Sequence, residues 1–324
     1  MRKVTVIGDT SSGKTSFLYA MYNFIAMGYV DGFTISATDE IADNFLQEKF
    51  SQLENTSLSL RRFPTASNAR EVYAFELQYG FAEIANFEWV DYPGGYISEN
   101  GEGKIELSND LKNSDAWVIF IDGEKLLKVL REEMNIMKVC GKYNMFMTTL
   151  RQHPKALPII ITKGDLIANS GIEGWQEKVQ EVIQKGLSAC FKDTFNSLVS
   201  ISTVSLGNNI AENNYTGELD PINIEYPITI SMLSILNYLF DIEFYEVARL
   251  KKLIEEDYNK FFSSLERRNE WQKQIDAITP KLVKWQKMAN AILNTLHDEK
   301  LLWRSGEKTS MINYYRKEFL INQA

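Results

Sequence analysis

Between the apolar run "VTVI" and the stretch "SFLYAMYNFIAMG" lies "GDTSSGKT", residues 8 to 15. Its glycines, lysine and hydroxyl follow G-x-x-x-x-G-K-[ST], a spacing whose chemistry is phosphate binding. Gly8 and Gly13 let the backbone come close to an anion, because glycine tolerates positive φ and has no side chain in the way. Lys14 is placed to reach β and γ phosphates, and the Thr15 hydroxyl to coordinate Mg²⁺. Asp9, Ser11, Ser12 and Ser16 complete the loop at a helix start, whose free N–H groups favour an anion.

Two further stretches carry chemistry. In "WVDYPGG", Asp91 closes an apolar run, where a carboxylate beside a phosphate loop is positioned to hold Mg²⁺, and Gly94 can offer its N–H to a γ-phosphate. In "PIIITKGDL", Thr162, Lys163 and Asp165 follow a buried run. A carboxylate at Asp165 accepts from both the ring N–H and the exocyclic amine of guanine, a donor pair that adenine lacks. Lys163 can lay its aliphatic stem over the base.

Elements must hold these residues in place. Six apolar runs predict strands: 3 to 8, 72 to 77, 87 to 90, 116 to 121, 157 to 162 and 198 to 203. Helices are expected at 14 to 27, 124 to 150, 173 to 190 and 228 to 243, giving a mostly parallel sheet covered on both faces. The short link between the second and third runs suits a hairpin, hence one antiparallel edge strand. After residue 243 no strand signal is visible. Trp271, Ile275, Ile278, Leu282, Trp285, Ala289, Ile292 and Leu296 form one helical seam, and Leu250, Ile254, Tyr258, Phe261 and Leu265 an earlier one, with "RRNE" (267 to 270) as the expected break.

Composition bounds the function. A chain of 324 residues with 44% hydrophobic content can bury a substantial core. Two cysteines, Cys140 and Cys190, and two histidines, His153 and His297, support neither a disulfide framework nor a Cys/His metal site. The net charge of -8 argues against nonspecific nucleic-acid binding; it is uneven, with -12 over residues 1 to 243 and +4 over 244 to 324. That asymmetry places an expected boundary near 243, between a nucleotide domain and a helical extension. No run is long enough to cross a bilayer, and neither a signal peptide nor a membrane span is expected, which points to the cytoplasm.

Over residues 1 to 243 the three motifs together resemble the Ras-like and translation-factor-related P-loop GTPases, with the pairing of "RRFPTAS" and "DYPGG" resembling a bacterial GTPase-like branch. The resemblance implies a three-layer α/β fold, a GTP or GDP ligand and a Mg²⁺ cofactor. It assigns Gly8, Gly13, Lys14 and Thr15 to phosphate and metal, Asp91 and Gly94 to the second switch, and Thr162, Lys163 and Asp165 to guanine, with Thr162 where Asn is more usual. The last base-contacting loop falls on "ISTVS", with Ser202 and Thr203 as its expected contacts. A switch threonine is sought among Thr34, Thr38, Thr56 and Thr65. Thr65 fits best, a few residues before the second predicted strand, as metal ligand and, with Lys14, as catalytic residue.

The position of the family's water-orienting glutamine holds Gly95, which has no side chain, so slow turnover is expected. An inserted Arg61 or Arg62, or a partner, could complete the site, though solvated loop charges are the simpler account of both arginines. The leading expectation is a slow GTPase switch whose loops 29 to 71 and 91 to 104 respond to GTP-Mg²⁺, with a protein partner or self-association through those loops or the C-terminal helices. A noncatalytic GTP-binding module is the alternative; a P-loop ATPase or small-molecule kinase is a third, disfavoured by "TKGD".

Overall fold

In the computed structural model the described residues are 1–30, 32–56, 63–65, 67–80, 82–97, 102–152, 156–195, 197–208, 210, 217–259, 264–295, 301–304 and 306–309. The β-branched run "RKVTVIG" forms β1 (Arg2–Gly8), an interior strand of a nine-stranded sheet among these residues. Chain order then gives β2 (Phe33–Ala37), β3 (Glu71–Tyr79), β4 (Ala82–Asp91), β5 (Ala116–Ile121), β6 (Ala156–Ile161), β7 (Leu198–Thr203), β8 (Leu301–Arg304) and β9 (Glu307–Thr309). In space the order is β2-β3-β4-β1-β5-β6-β7-β8-β9. The strands from β4 through β7 run parallel; β3 is antiparallel to both β2 and β4, and β8 to both β7 and β9. Every residue of β5 and β6 is buried, which their unbroken apolar sequences require of strands covered on both faces.

The helices are α1 (Lys14–Ala26), α2 (Glu40–Glu54), α3 (Glu102–Asn113), α4 (Gly123–Leu130), α5 (Ile136–Cys140), α6 (Met147–Gln152), α7 (Gly164–Ala168), α8 (Trp175–Gly186), α9 (Tyr226–Tyr258) and α10 (Leu265–Thr295). One sheet face, with Trp89, Phe120 and Phe75, packs against Phe17 and its neighbours on α1, the first half of α9 and the end of α10 through Met288, Ala289 and Ile292. The opposite face, with Ile119, Trp117 and Ile159, is covered by Leu107, Leu126, Tyr143 and Ile183 from α3 onward.

The sheet has more strands than the expected six. β2 and α2 occupy part of the 29 to 71 segment, so β3 is antiparallel as expected but lies one strand in from the edge. β8 and β9 overturn the all-helical reading of the C-terminal region. β8 is only four residues long, too short for a periodic signal, yet Leu302 and Trp303 are buried against opposite faces of the sheet. The expected helix 124 to 150 is broken: Asn135 caps a new start at α5, and a 3-10 turn (Gly141–Phe146) precedes α6. The expected 228 to 243 helix is the first half of the 33-residue α9, which runs straight through the charge boundary. "RRNE" lies inside α10; the break falls between α9 and α10, where buried Asp257 binds Arg267 and Arg268, each at 3.0 Å. Tyr258 and Leu265, expected in the apolar seam, are exposed, while Phe261 and Leu296 lie outside the described residues. α3 takes the end of the 91 to 104 loop.

Candidate functional site

A cleft of about 350 Å³ opens beyond the carboxyl ends of β1, β6 and β7. The residues at which parallel strands end are where an open α/β sheet places ligands. Thr10 to Ser16 form its floor. Ser11 (φ 64°) and Gly13 (φ 84°) are left-handed, a backbone form that builds anion-accepting concavities, and the Ser12 N–H between them donates to the Asp9 carbonyl at 3.1 Å. Asp39 caps α2 and Asp122 caps α4, but no side chain caps α1 and no acidic residue stands in its first turn. Its N–H donors therefore face the cleft.

Lys14 is buried and donates to the carbonyls of Gly8 (3.0 Å) and Asp9 (3.2 Å). Burial holds its ammonium below the usual lysine range, against the pull of Asp91 and Asp9. Gly8 and Asp9 themselves do not line the cleft. The Asp9 carboxylate turns away from it to Lys125 (2.8 Å) and Lys142, tying the phosphate loop to α4 and the 3-10 turn after α5. Burial alone would raise the Asp9 carboxyl, yet the two lysines bring it below the usual carboxylate range.

Beside α1, the Thr15 hydroxyl donates to Asp91 Oδ2 at 3.1 Å and lies 3.4 Å from the Ser67 hydroxyl. Asp91 is 2% exposed, and its Oδ1 has no partner among the described residues. Burial pushes its pKa up to about 6, against the Lys14 charge and the Thr15 hydrogen bond. Hydroxyls and a buried carboxylate with an unsatisfied oxygen suit a hard, oxygen-seeking cation such as Mg²⁺. Thr65 lines the cleft and is exposed, whereas Ser67 is the residue whose hydroxyl approaches Thr15. Thr34 and Thr38 belong to the β2 end of the segment, Thr38 bonding Ala74, and neither they nor Thr56 line the cleft. Arg61 and Arg62 lie outside the described residues.

At the other end, Thr162 donates to the carbonyl of Ser12 at 2.8 Å and to that of Ile121 at 3.3 Å, stitching the phosphate loop to the end of β6. Lys163 (φ 52°) begins α7, its ammonium held by Asp122 at 2.9 Å and Glu124 at 3.5 Å. Asp165 is buried and accepts from the Ser205 hydroxyl at 3.4 Å. Ser202 and Thr203 do not line the cleft; they are the last residues of β7, and Ser202 is buried. Val204, Ser205 and Leu206, just past the strand end, line it instead.

Gly94 closes the cleft over the phosphate loop so tightly that a Cβ would collide with the Thr10 backbone. Gly95 follows in a short 3-10 turn (Gly94–Ile97) and does not line the cleft. Between Asp91 and Gly94, Tyr92 is buried and donates to Asp110 Oδ2 at 2.7 Å. Arg70, ahead of β3, donates to Tyr92 at 3.1 Å and to Asp110 at 2.8 Å, and Lys3 reaches Asp110 at 2.7 Å. This partly buried network joins Arg70 to the Asp91 turn. Sequence reasoning missed it, as it missed Ser67 and Ser205.

Among curated proteins no match is found. Two solved structures are similar in part. Translation elongation factor SelB from Methanococcus maripaludis, in complex with the GTP analogue GppNHp, is 12% identical with a TM-score of 0.33, covering 66% of this chain and 32% of its own. Sup35 complexed with GDP is 13% identical with a TM-score of 0.33, covering 67% of this chain and 38% of its own. This chain thus matches less than two fifths of the length of either. The sequence model of the Double-GTPase 2 family matches residues 2–215 of the 324, a span that contains β1 through β7 and the whole cleft, and the chain belongs to that family.

Proposed function

We propose that this protein binds GTP with Mg²⁺, hydrolyses it slowly and works as a molecular switch. One observation carries the reading: a single cleft runs from Lys14 and Thr15 at the head of α1 to Asp165 and Ser205 past β6 and β7. Membership in a GTPase family supports it. The N–H groups at the uncapped head of α1 and the Lys14 ammonium would receive the phosphates, and Asp165 the guanine edge. Thr15, Asp91 and a hydroxyl from Ser67 or Thr65 would hold Mg²⁺, which when bound supplies neutralising charge to the phosphates.

In hydrolysis, water attacks the γ-phosphorus, the bond to the β-γ bridging oxygen breaks, and GDP and inorganic phosphate leave. Gly95 brings no side chain to orient that water, so unaided turnover is expected on the order of 10⁻³ s⁻¹ or slower. The segment holding Thr65 and Ser67 and the turn at Gly94 are the parts placed to sense the γ-phosphate. Residues 1 to 243 would form the nucleotide-binding unit, and the helical part from residue 244 on, the second half of α9 and α10, would be offered to a protein partner or a second copy, in the cytoplasm. Gly95 equally favours a second reading, a noncatalytic GTP-binding module.

Equilibrium titration with GTP and ATP, with and without Mg²⁺, followed by phosphate release over hours, separates these. Preferential, Mg²⁺-dependent GTP binding with slow release is expected. Tight GTP binding with no release at any protein concentration would establish the noncatalytic module, and a preference for ATP would overturn both readings.

A further inference from the structure

Glu71 opens β3 directly opposite Asp91 in the antiparallel ladder with β4. Side chains alternate along a strand, so Glu71 shares a face with Tyr73, Phe75 and Leu77, and Asp91 with Trp89 and Phe87. All of these partners belong to the core beneath α1, which puts both carboxylates on the side of the sheet where Thr15 lies. Cβ atoms of directly opposed residues stand about 5 Å apart, and like charges so placed repel.

The surroundings fix this arrangement, and Lys14, whose charge acts on Asp91, offsets it only in part. The Tyr73 hydroxyl donates to Glu71 Oε2 at 2.8 Å. Tyr19, one turn beyond Thr15 on α1, stands close enough to Glu71 and Tyr73 to interact with both, which places Glu71 beside the helix that carries Thr15. Arg70, the neighbouring cation, points to the other face and is engaged by Asp110 and Tyr92. On the Asp91 side, Oδ1 has no partner among the described residues.

We infer that Glu71 is a positioning residue for the cation: it adds a second carboxylate charge beside Asp91 and thereby makes nucleotide binding strictly dependent on a divalent ion. The inference rests on the GTP-Mg²⁺ reading above. Without a cation the opposed carboxylates repel an incoming triphosphate; with one they are compensated and strengthen its hold. Removing the Glu71 charge should therefore move the two conditions in opposite directions, which a packing defect does not do.

The test is a titration of wild type, Glu71→Gln and Tyr73→Phe with a fluorescent GTP analogue, over a range of Mg²⁺ and separately in excess EDTA. The glutamine keeps an acceptor for the Tyr73 hydroxyl while losing the charge. Glu71→Gln is expected to need about tenfold more Mg²⁺ for half-maximal binding, and to bind the analogue more tightly than wild type in EDTA. Tyr73→Phe, which frees Glu71 without neutralising it, is expected to shift the Mg²⁺ requirement less. An unchanged requirement in Glu71→Gln, or weakening under both conditions, overturns the inference while leaving the GTP reading intact. Failure of the wild type to bind GTP at any Mg²⁺ concentration overturns both.

Discussion

Asp91 sits where a carboxylate is costly to keep. A carboxylate buried to 2% exposure with one oxygen unpartnered is unfavourable, and burial displaces its pKa upward to about 6. Strain of this kind, relieved by a ligand, is typical of functional sites. Asp91→Asn is expected to abolish Mg²⁺-dependent GTP binding yet raise the melting temperature of the nucleotide-free protein by about 2–4 °C, measured by thermal denaturation. A variant that melts lower would mean that the ionised carboxylate stabilises the empty fold. The grouping of Lys14, Thr15, Thr162 and Asp165 at one cleft, with Asp91 bonded to Thr15, was legible because each motif fixes its residue types at one spacing. Ser67 and Ser205 were not, since a serine hydroxyl in a loop has no distinctive spacing. Ser205 could have been found by asking where β7 must end: Ser202 and Thr203 still pair with β6, so the loop begins only after them.

At the scale of elements, the network of Lys3, Arg70, Tyr92 and Asp110 locks β1, the approach to β3, the turn after β4 and α3 into one unit. Glu106, 3.6 Å from Arg70, adds a further charge at its rim. Burial would raise the Asp110 carboxyl, but the hydrogen bonds from Lys3, Tyr92 and Arg70 outweigh it and hold the pKa below the usual range. A carboxyl depressed in the folded state contributes stability above its unfolded pKa, near 4, and loses it as pH falls through the folded value. Asp110→Asn is therefore expected to lower stability by about 2 kcal/mol at pH 7, in urea denaturation, with the gap to wild type narrowing below about pH 4. A gap that is constant with pH would show that the ion pairs contribute nothing. Strands β1, β5, β6 and β7 were legible as unbroken apolar runs. β2 and β8 were not, being short segments whose burial is decided by distant partners: Phe33 and Ile35 by β3 and α1, Leu302 and Trp303 by β7. The broken helix at 124 to 150 likewise kept an apolar composition while its caps and turns were hidden in it.

Across the whole molecule, the C-terminal region is less separate than its charge suggested. α9 passes residue 243 without interruption, Met288, Ala289 and Ile292 of α10 join the core beneath the sheet, and β8 extends the sheet itself. Composition distinguished solvent-facing charge, while the apolar residues that unite the two parts carry no net charge and left no mark on that count. This continuity gives the nucleotide cleft a mechanical neighbour: Ser205 bridges Ile222, and Asn223 donates to the Thr203 carbonyl at 2.9 Å just before α9 begins. The Asp165 end of the cleft and the long helical hairpin are thus joined by a few residues. The central claim is that this cleft recognises guanine through Asp165. The measurement that tests it most directly is the affinity of wild type and Asp165→Asn for GTP, xanthosine triphosphate and ATP in the presence of Mg²⁺. The account predicts that the variant loses GTP affinity by at least about tenfold and gains affinity for xanthosine triphosphate, because the asparagine amide supplies the donor that the xanthine carbonyl requires. Unchanged GTP affinity in the variant, or a wild type that prefers ATP, would contradict it.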